Sequence, residues 1–88
     1  MSWKVEIKPT AEKSYLKLDK KTRERINRAL RELEQAKNPL FHSDVRNLTG
    51  QLHGDYRLRV GNRRILFTPS KEKKIIYVYA ILPRGDAY

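Results

Sequence analysis

The chain has 88 residues and no cysteine. That length suits one domain spanning residues 1–88, with a modest core that buries about 60–65% of the unfolded surface. Without cysteine there is no disulfide to support the fold and no thiolate to act as nucleophile or zinc ligand. Lys and Arg total 20 against 10 for Asp and Glu, a net charge of +10, which attracts phosphate backbones and acidic partners. The excess is uneven: +4 over residues 1–44, where acidic side chains interleave, and +6 over 45–88, where they are scarce. The N-terminus lacks the apolar run of a signal peptide, and no stretch approaches the ~20 apolar residues of a membrane helix. The expectation is a soluble, cytoplasmic chain with no membrane partner.

Trp3-Lys4-Val5-Glu6-Ile7-Lys8 alternates apolar and polar residues, the pattern of a half-buried strand. Pro9-Thr10 ends it, and Thr10 is a candidate helix cap. Ala11, Tyr15 and Leu18 then recur at helical spacing. Asp19 is a second candidate cap, followed by Ile26, Leu30 and Leu33 on one face of a second helix. Asn38-Pro39 is the stop signal. The charged residues of this hairpin read as a solvated surface, because Glu24, Glu32 and Glu34 interleave the arginines.

Residues 40–54 read as a connection. Asp55 to Val60 alternates strictly, Gly61-Asn62 is a two-residue hairpin signal, and Arg63 to Thr68 returns. After a turn over Ser70 to Lys73, Lys74 to Leu82 forms a strand that is apolar on both faces and so belongs inside the sheet. The predicted fold is α+β: an N-terminal strand, a helical hairpin, then a three-stranded antiparallel meander, packed as a two-layer sandwich.

Alternation sorts the arginines. Tyr56, Leu58 and Val60 share the face that meets the helices, so Arg57 and Arg59 point the other way. Arg64 follows on the paired strand, and Arg84 and Tyr88 come just after the last one. Helices cover only one face, so these guanidinium groups and a phenol are offered on an open one. Such a set suits cleavage of RNA by its own 2′-hydroxyl. Charge gathers on the phosphoryl oxygens, and guanidinium groups meet it with forked hydrogen bonds. A tyrosine beside arginines has its phenolate favoured, which makes Tyr88 a candidate for proton transfer.

The block Leu48-Thr-Gly-Gln-Leu-His-Gly-Asp-Tyr-Arg-Leu-Arg-Val-Gly-Asn-Arg-Arg-Ile-Leu-Phe67 resembles the signature of the RelE/ParE superfamily of toxins, the toxin halves of bacterial and archaeal toxin–antitoxin pairs. Ala80-Ile-Leu-Pro-Arg-Gly-Asp-Ala-Tyr88 resembles the family's last strand and basic, tyrosine-containing tail. The order of elements matches as well, so the resemblance covers nearly the whole chain. It implies a RelE-like fold and a metal-free, cofactor-free endoribonuclease that cuts mRNA in the ribosomal A site. A RelB-like antitoxin would silence it by wrapping around it. The paired basic residues of such enzymes resemble Arg57 and Arg59, the next arginine Arg64, the one after the final strand Arg84, and the tyrosine Tyr88. Three features depart from the pattern. Arg57 and Arg59 stand where the best-known member has lysines, and arginine does not exchange a proton at accessible pH. Arg63 stands where many relatives have an aromatic, and Tyr88 is the last residue of the chain.

His42 and His53 read as structural or surface residues rather than acid–base groups, Glu72 and Asp86 as solvated, and Trp3 and the strand tyrosines as core. There is no paired-His or carboxylate cluster at metal-ligand spacing. Three rivals share the fold or the charge. One is a ParE-like toxin that poisons DNA gyrase, another a non-catalytic nucleic-acid-binding module, and the third an inactive relative that only binds an antitoxin.

Overall fold

A computed structural model describes residues 3–48 and 54–83. Within them the chain runs β1 (Lys4–Ile7), α1 (Pro9–Leu16), α2 (Lys20–Gln35), a 3-10 turn η1 (Pro39–Phe41), β2 (Val45–Asn47), β3 (Tyr56–Val60), β4 (Arg63–Ser70) and β5 (Ile75–Pro83). The strands form one mixed sheet in the order β1-β5-β4-β3-β2. From β1 at one edge the chain crosses through the helices to β2 at the other. It then meanders back until β5 lies parallel to β1, Val5 opposite Ile76 and Ile7 opposite Val78. All the helices therefore sit on one face; among the described residues no helix covers the other, although Leu66, directly opposite Arg57 on it, is buried outside the core beneath the helices.

The α+β class, the order of elements and the interior place of β5 are as the sequence predicts. Two details differ. The connection over residues 40–54 contains η1 and the short strand β2, so the meander among the described residues has four strands rather than three. The sheet is mixed, because β1 joins β5 in parallel. Three residues of β2 are too few for alternation to show, and the pairing of β1 depends on strands far away in sequence.

Local chemistry explains the helix starts. Pro9 occupies the first turn of α1, where its missing N–H costs nothing. Thr10 does not cap; its hydroxyl donates to the Tyr79 carbonyl at 3.0 Å and ties α1 to β5. Asp19 stands at the N-cap of α2, and its carboxylate accepts from the Thr22 hydroxyl. That hydrogen bond chiefly holds the Asp19 carboxyl below its usual range, with smaller contributions from backbone amides and the least from Arg63. Asn38 caps η1, accepting from the Leu40 amide at 3.1 Å.

The core lies between the helices and one sheet face. Ile26, Leu30 and Leu33 of α2 pack with Ala11 and Trp3 onto Leu58, Ile65, Phe67, Ile76, Val78 and Ile81. Burying each large aliphatic side chain contributes about 1.5–3 kcal/mol. Tyr56 stacks on Phe67, its direct cross-strand neighbour, at 5.9 Å between ring centroids. The outer edge of β1 is closed by the C-terminal end of α2. The Trp3 amide donates to the Glu34 carbonyl at 3.0 Å, and the Val5 amide to the Glu34 carboxylate at 2.9 Å. Those bonds occupy amides that an edge strand would otherwise present to another chain.

Candidate functional site

Arg57, Arg59 and Arg64 are placed by the pleat. Leu58 is fully buried beneath the helices, flanked by half-buried Tyr56 and Val60. Arg57 and Arg59 consequently project from the opposite, open face. The Gly61-Asn62 turn brings the chain straight back. Gly61 alone takes positive φ (+56°), the pattern of a type II′ turn rather than one using both residues. This register puts Arg64 directly opposite Arg59. Residues next to the closing pair of such a hairpin form a non-hydrogen-bonded pair, whose side chains approach closely.

On the other side of β3, Arg46 of β2 lies directly opposite Arg57. The open face therefore carries two cross-strand arginine pairs, Arg46–Arg57 and Arg59–Arg64, on three adjacent strands. Like charges so placed oppose sheet formation. Arg46 was hidden from sequence reasoning in the connecting segment; its strand is too short to announce a face. Its guanidinium donates to the Ser43 and Val45 carbonyls at 3.1 and 3.0 Å, and that of Arg57 makes a long contact of 3.4 Å with the Asp44 carbonyl. None of these acceptors is a carboxylate. Among the described residues the only ion pair within 4 Å that does not involve Arg64 joins His42 to Glu32. Arg84 and Tyr88, the remaining predicted site residues, lie outside the described residues, as does His53.

Along the same face, away from the turn, the chemistry changes. Asp55 accepts from the Thr68 hydroxyl at 2.9 Å and from the Tyr79 phenol at 2.8 Å, linking β4 and β5 to the residue that precedes β3. Partial burial, then the hydrogen bond to Asp55 and its charge, push the Tyr79 phenol up to about 12. Tyr79 is thus unsuited to proton transfer near neutrality. Tyr79 and Tyr77 lie on the face opposite Ile76 and Val78, so the expectation of a core place is corrected for these two, whereas Tyr56 does pack against the core. A bulge between Leu66 and Phe67 leaves Tyr79 as the extra residue of β5. Tyr77 stacks beneath Lys8, whose ammonium is 4.8 Å from the ring centre. Trp3 is buried in the core, as expected.

His42 has a defined tautomer. Its Nδ1 accepts from the Asp44 amide at 3.1 Å, which leaves the proton on Nε2 to face Glu32 at 2.9 Å. Both ring nitrogens are occupied in holding the η1–β2 connection against α2, the structural role expected of it.

The sequence over residues 5–88 matches the family of ParE toxins of type II toxin–antitoxin systems, parDE. The chain belongs to this family, within the RelE/ParE superfamily. No protein of curated function matches it in sequence. Among solved structures it is similar to the archaeal RelE of the RelE–RelB complex from Pyrococcus horikoshii, with 29% identity, coverage of 99% of this chain and 100% of that one, and a TM-score of 0.80. A chain of the RelBE2 toxin–antitoxin complex from Mycobacterium tuberculosis has the same fold at 22% identity, covering 98% and 95%, with a TM-score of 0.81. So does the YoeB/ParE toxin from Agrobacterium tumefaciens, at 17% identity, 92% and 98% coverage and a TM-score of 0.76. The protein is thus a type II toxin–antitoxin toxin of RelE-like fold.

Proposed function

We propose that this toxin is a metal-independent endoribonuclease that cuts mRNA on the ribosome. The observation that carries the reading is the doubled arginine pairing on the open face. Directly opposed like charges are unfavourable to a sheet, and the acceptors of Arg46 and Arg57 are neutral carbonyls, so a polyanion laid across the face relieves that repulsion. The RNA 2′-hydroxyl attacks the adjacent phosphorus; the new O2′–P bond forms as the P–O5′ bond breaks. Arg57, Arg59, Arg64 and Arg84 bind the phosphoryl oxygens where charge develops. Arginine holds its proton too tightly to act as a base, so the 2′-hydroxyl proton passes to the Tyr88 phenolate, and the phenol so formed returns one to the departing 5′-oxygen. Products carry a 2′,3′-cyclic phosphate, or its opened monophosphate, and a 5′-hydroxyl.

The proposed partners are mRNA, the ribosome and a RelB-like antitoxin. Two of the similar structures are toxin–antitoxin complexes, and the net charge of +10 favours an antitoxin with an acidic docking segment. A second reading is favoured by the family match itself, whose description is that of ParE: a gyrase poison acting through protein contacts. One experiment separates the two. The purified toxin is incubated with programmed ribosomes and mRNA, with and without chelator, and in parallel with gyrase and relaxed plasmid. Cleavage with 5′-hydroxyl ends that survives chelation is expected. Inhibition of supercoiling with intact mRNA establishes the gyrase reading instead, and 5′-phosphate ends overturn the 2′-hydroxyl mechanism.

A further inference from the structure

A second group of arginines lies outside the proposed catalytic face. Between α2 and the β3–β4 turn is a shallow cleft of about 250 Å³, lined by Arg25, Arg28, Glu32, His42, Asp44 and Arg59 among others. Arg25 and Arg28 are exposed, one turn apart on α2. Arg25 reaches over the turn: its Nη1 comes within 3.3 Å of where a β-carbon on Gly61 would stand. Two carboxylates line the same cleft, yet among the described residues none lies within ion-pair distance of Arg25, Arg28 or Arg59. Glu32 is instead held at 2.9 Å by the Nε2–H of His42, the nitrogen that the Asp44 amide leaves protonated. The exposed guanidinium groups of Arg25 and Arg28 thereby keep open donors at one depression that Arg59 also lines.

We propose that this cleft is a second phosphate site, which holds the backbone of single-stranded RNA as it leaves the catalytic face. The inference rests on the ribonuclease reading and extends it. Arg59 is the joint, standing opposite Arg64 on the sheet and also lining the cleft. A strand whose reacting phosphate sits at Arg64 meets Arg59 next, then Arg28 and Arg25 around the end of the hairpin. Phosphodiester oxygens fit the forked donors that the carboxylates leave open. An acidic protein segment fits less well, because the cleft's apolar lining is limited to Ala29 and Val60 and offers no pocket for an anchoring aromatic.

The test compares the full chain with the double variant R25A/R28A, with unchanged circular dichroism as the check on folding. The probes are uncleavable single-stranded oligonucleotides, one of about twelve nucleotides and one of about three, titrated by fluorescence anisotropy over a range of salt. The double variant is expected to bind the long strand roughly tenfold more weakly, with a salt slope shallower by about 1.4, the value for two lost phosphate contacts to a single strand. The short strand should bind as before, and Arg→Lys at both positions should restore most of the slope. Equal loss on both strands, no loss on either, or a defect confined to ribosome-bound reactions or to an acidic peptide overturns the proposal. Binding is read without cleavage, so the two ideas fail separately. A wild-type chain that shows the length effect but leaves mRNA intact on ribosomes removes the ribonuclease reading and keeps the cleft.

Discussion

The open face of the sheet has two ends built on opposite rules. At the Asp55 end charge and hydroxyl groups are matched: one carboxylate takes two hydroxyl donors, and three neighbouring segments are pinned together. At the turn end arginine faces arginine twice, across β2–β3 and β3–β4, and the acceptors of Arg46 and Arg57 are backbone carbonyls that leave the charge uncancelled. Hydrogen bonds between matched neutral and charged groups stabilise the folded chain directly. Repulsion between directly opposed cations does the reverse. A fold shaped for stability alone has no use for the second arrangement, so the contrast separates the part of the face that holds the sheet from the part that awaits a polyanion.

The largest expected effect breaks the turn end. Arg64→Ala should lower the single-turnover cleavage rate on programmed ribosomes by ~10²–10³, the usual loss when a donor aimed at developing charge is removed. Circular dichroism should remain that of the wild type, which separates the loss from any failure to fold. Unimpaired cleavage by this variant would remove Arg64 from the mechanism. Tyr88→Phe sharpens the same comparison. The ring is kept and the exchangeable proton lost, so the rate should fall by ~10²–10⁴ with binding of an uncleavable strand unchanged.

Asp55→Ala breaks the other end and should reverse the pattern. The Thr68 and Tyr79 hydroxyls lose a charged acceptor, worth about 1.5–3 kcal/mol for hydrogen bonds of this kind and less here because the cluster is partly solvated. Urea unfolding should show the loss, while the cleavage rate measured well below the unfolding midpoint should change little. Arg59→Thr is the smaller counterpart at the turn end. A β-branched residue replaces one member of a like-charge pair, so stability should rise by a few tenths of a kcal/mol up to about 1 kcal/mol while cleavage falls. A variant that lost both stability and activity would show that the Arg59–Arg64 pair is not repulsive in the free protein.

Much of this was legible in the sequence because it depends on short-range periodicity. The i, i+4, i+7 spacing of Ile26, Leu30 and Leu33 located the buried side of α2, and the alternation of Tyr56 to Val60 located the open face. Arg57, Arg59 and Arg64 followed once the Gly61-Asn62 turn set the register. What escaped depends on contacts between distant segments. Arg46 gains its place only because β2 pairs with β3, and Tyr79 faces outward because of pairing at a bulge with a strand about a dozen residues away. Thr10 passes for a cap until the Tyr79 carbonyl is brought beside it. Arg84 and Tyr88 were offered by their position after the last strand and by resemblance, and both lie outside the described residues.

The smallest expected effect concerns pH and again distinguishes the two ends. In the unfolded chain Tyr79 ionises near the ordinary value of 10, and in the folded chain at about 12. A raised folded-state value means that folding favours the neutral phenol, whose proton is donated to Asp55. That contribution is complete below pH 10 and fades as pH rises from 10 toward 12, because only the unfolded chain then gains by ionising. The wild type should therefore lose stability through this alkaline range more steeply than Tyr79→Phe, which has no proton to lose and starts lower at neutral pH for want of the hydrogen bond. Denaturation midpoints of the two proteins, measured from pH 8 to 12, should converge as pH rises. Arginine stays charged throughout this range, so Arg59→Thr should run parallel to the wild type. If Tyr79→Phe ran parallel as well, the Asp55–Tyr79 bond would contribute nothing to the fold, and the Asp55 end would lose its claim to be the structural half of the face.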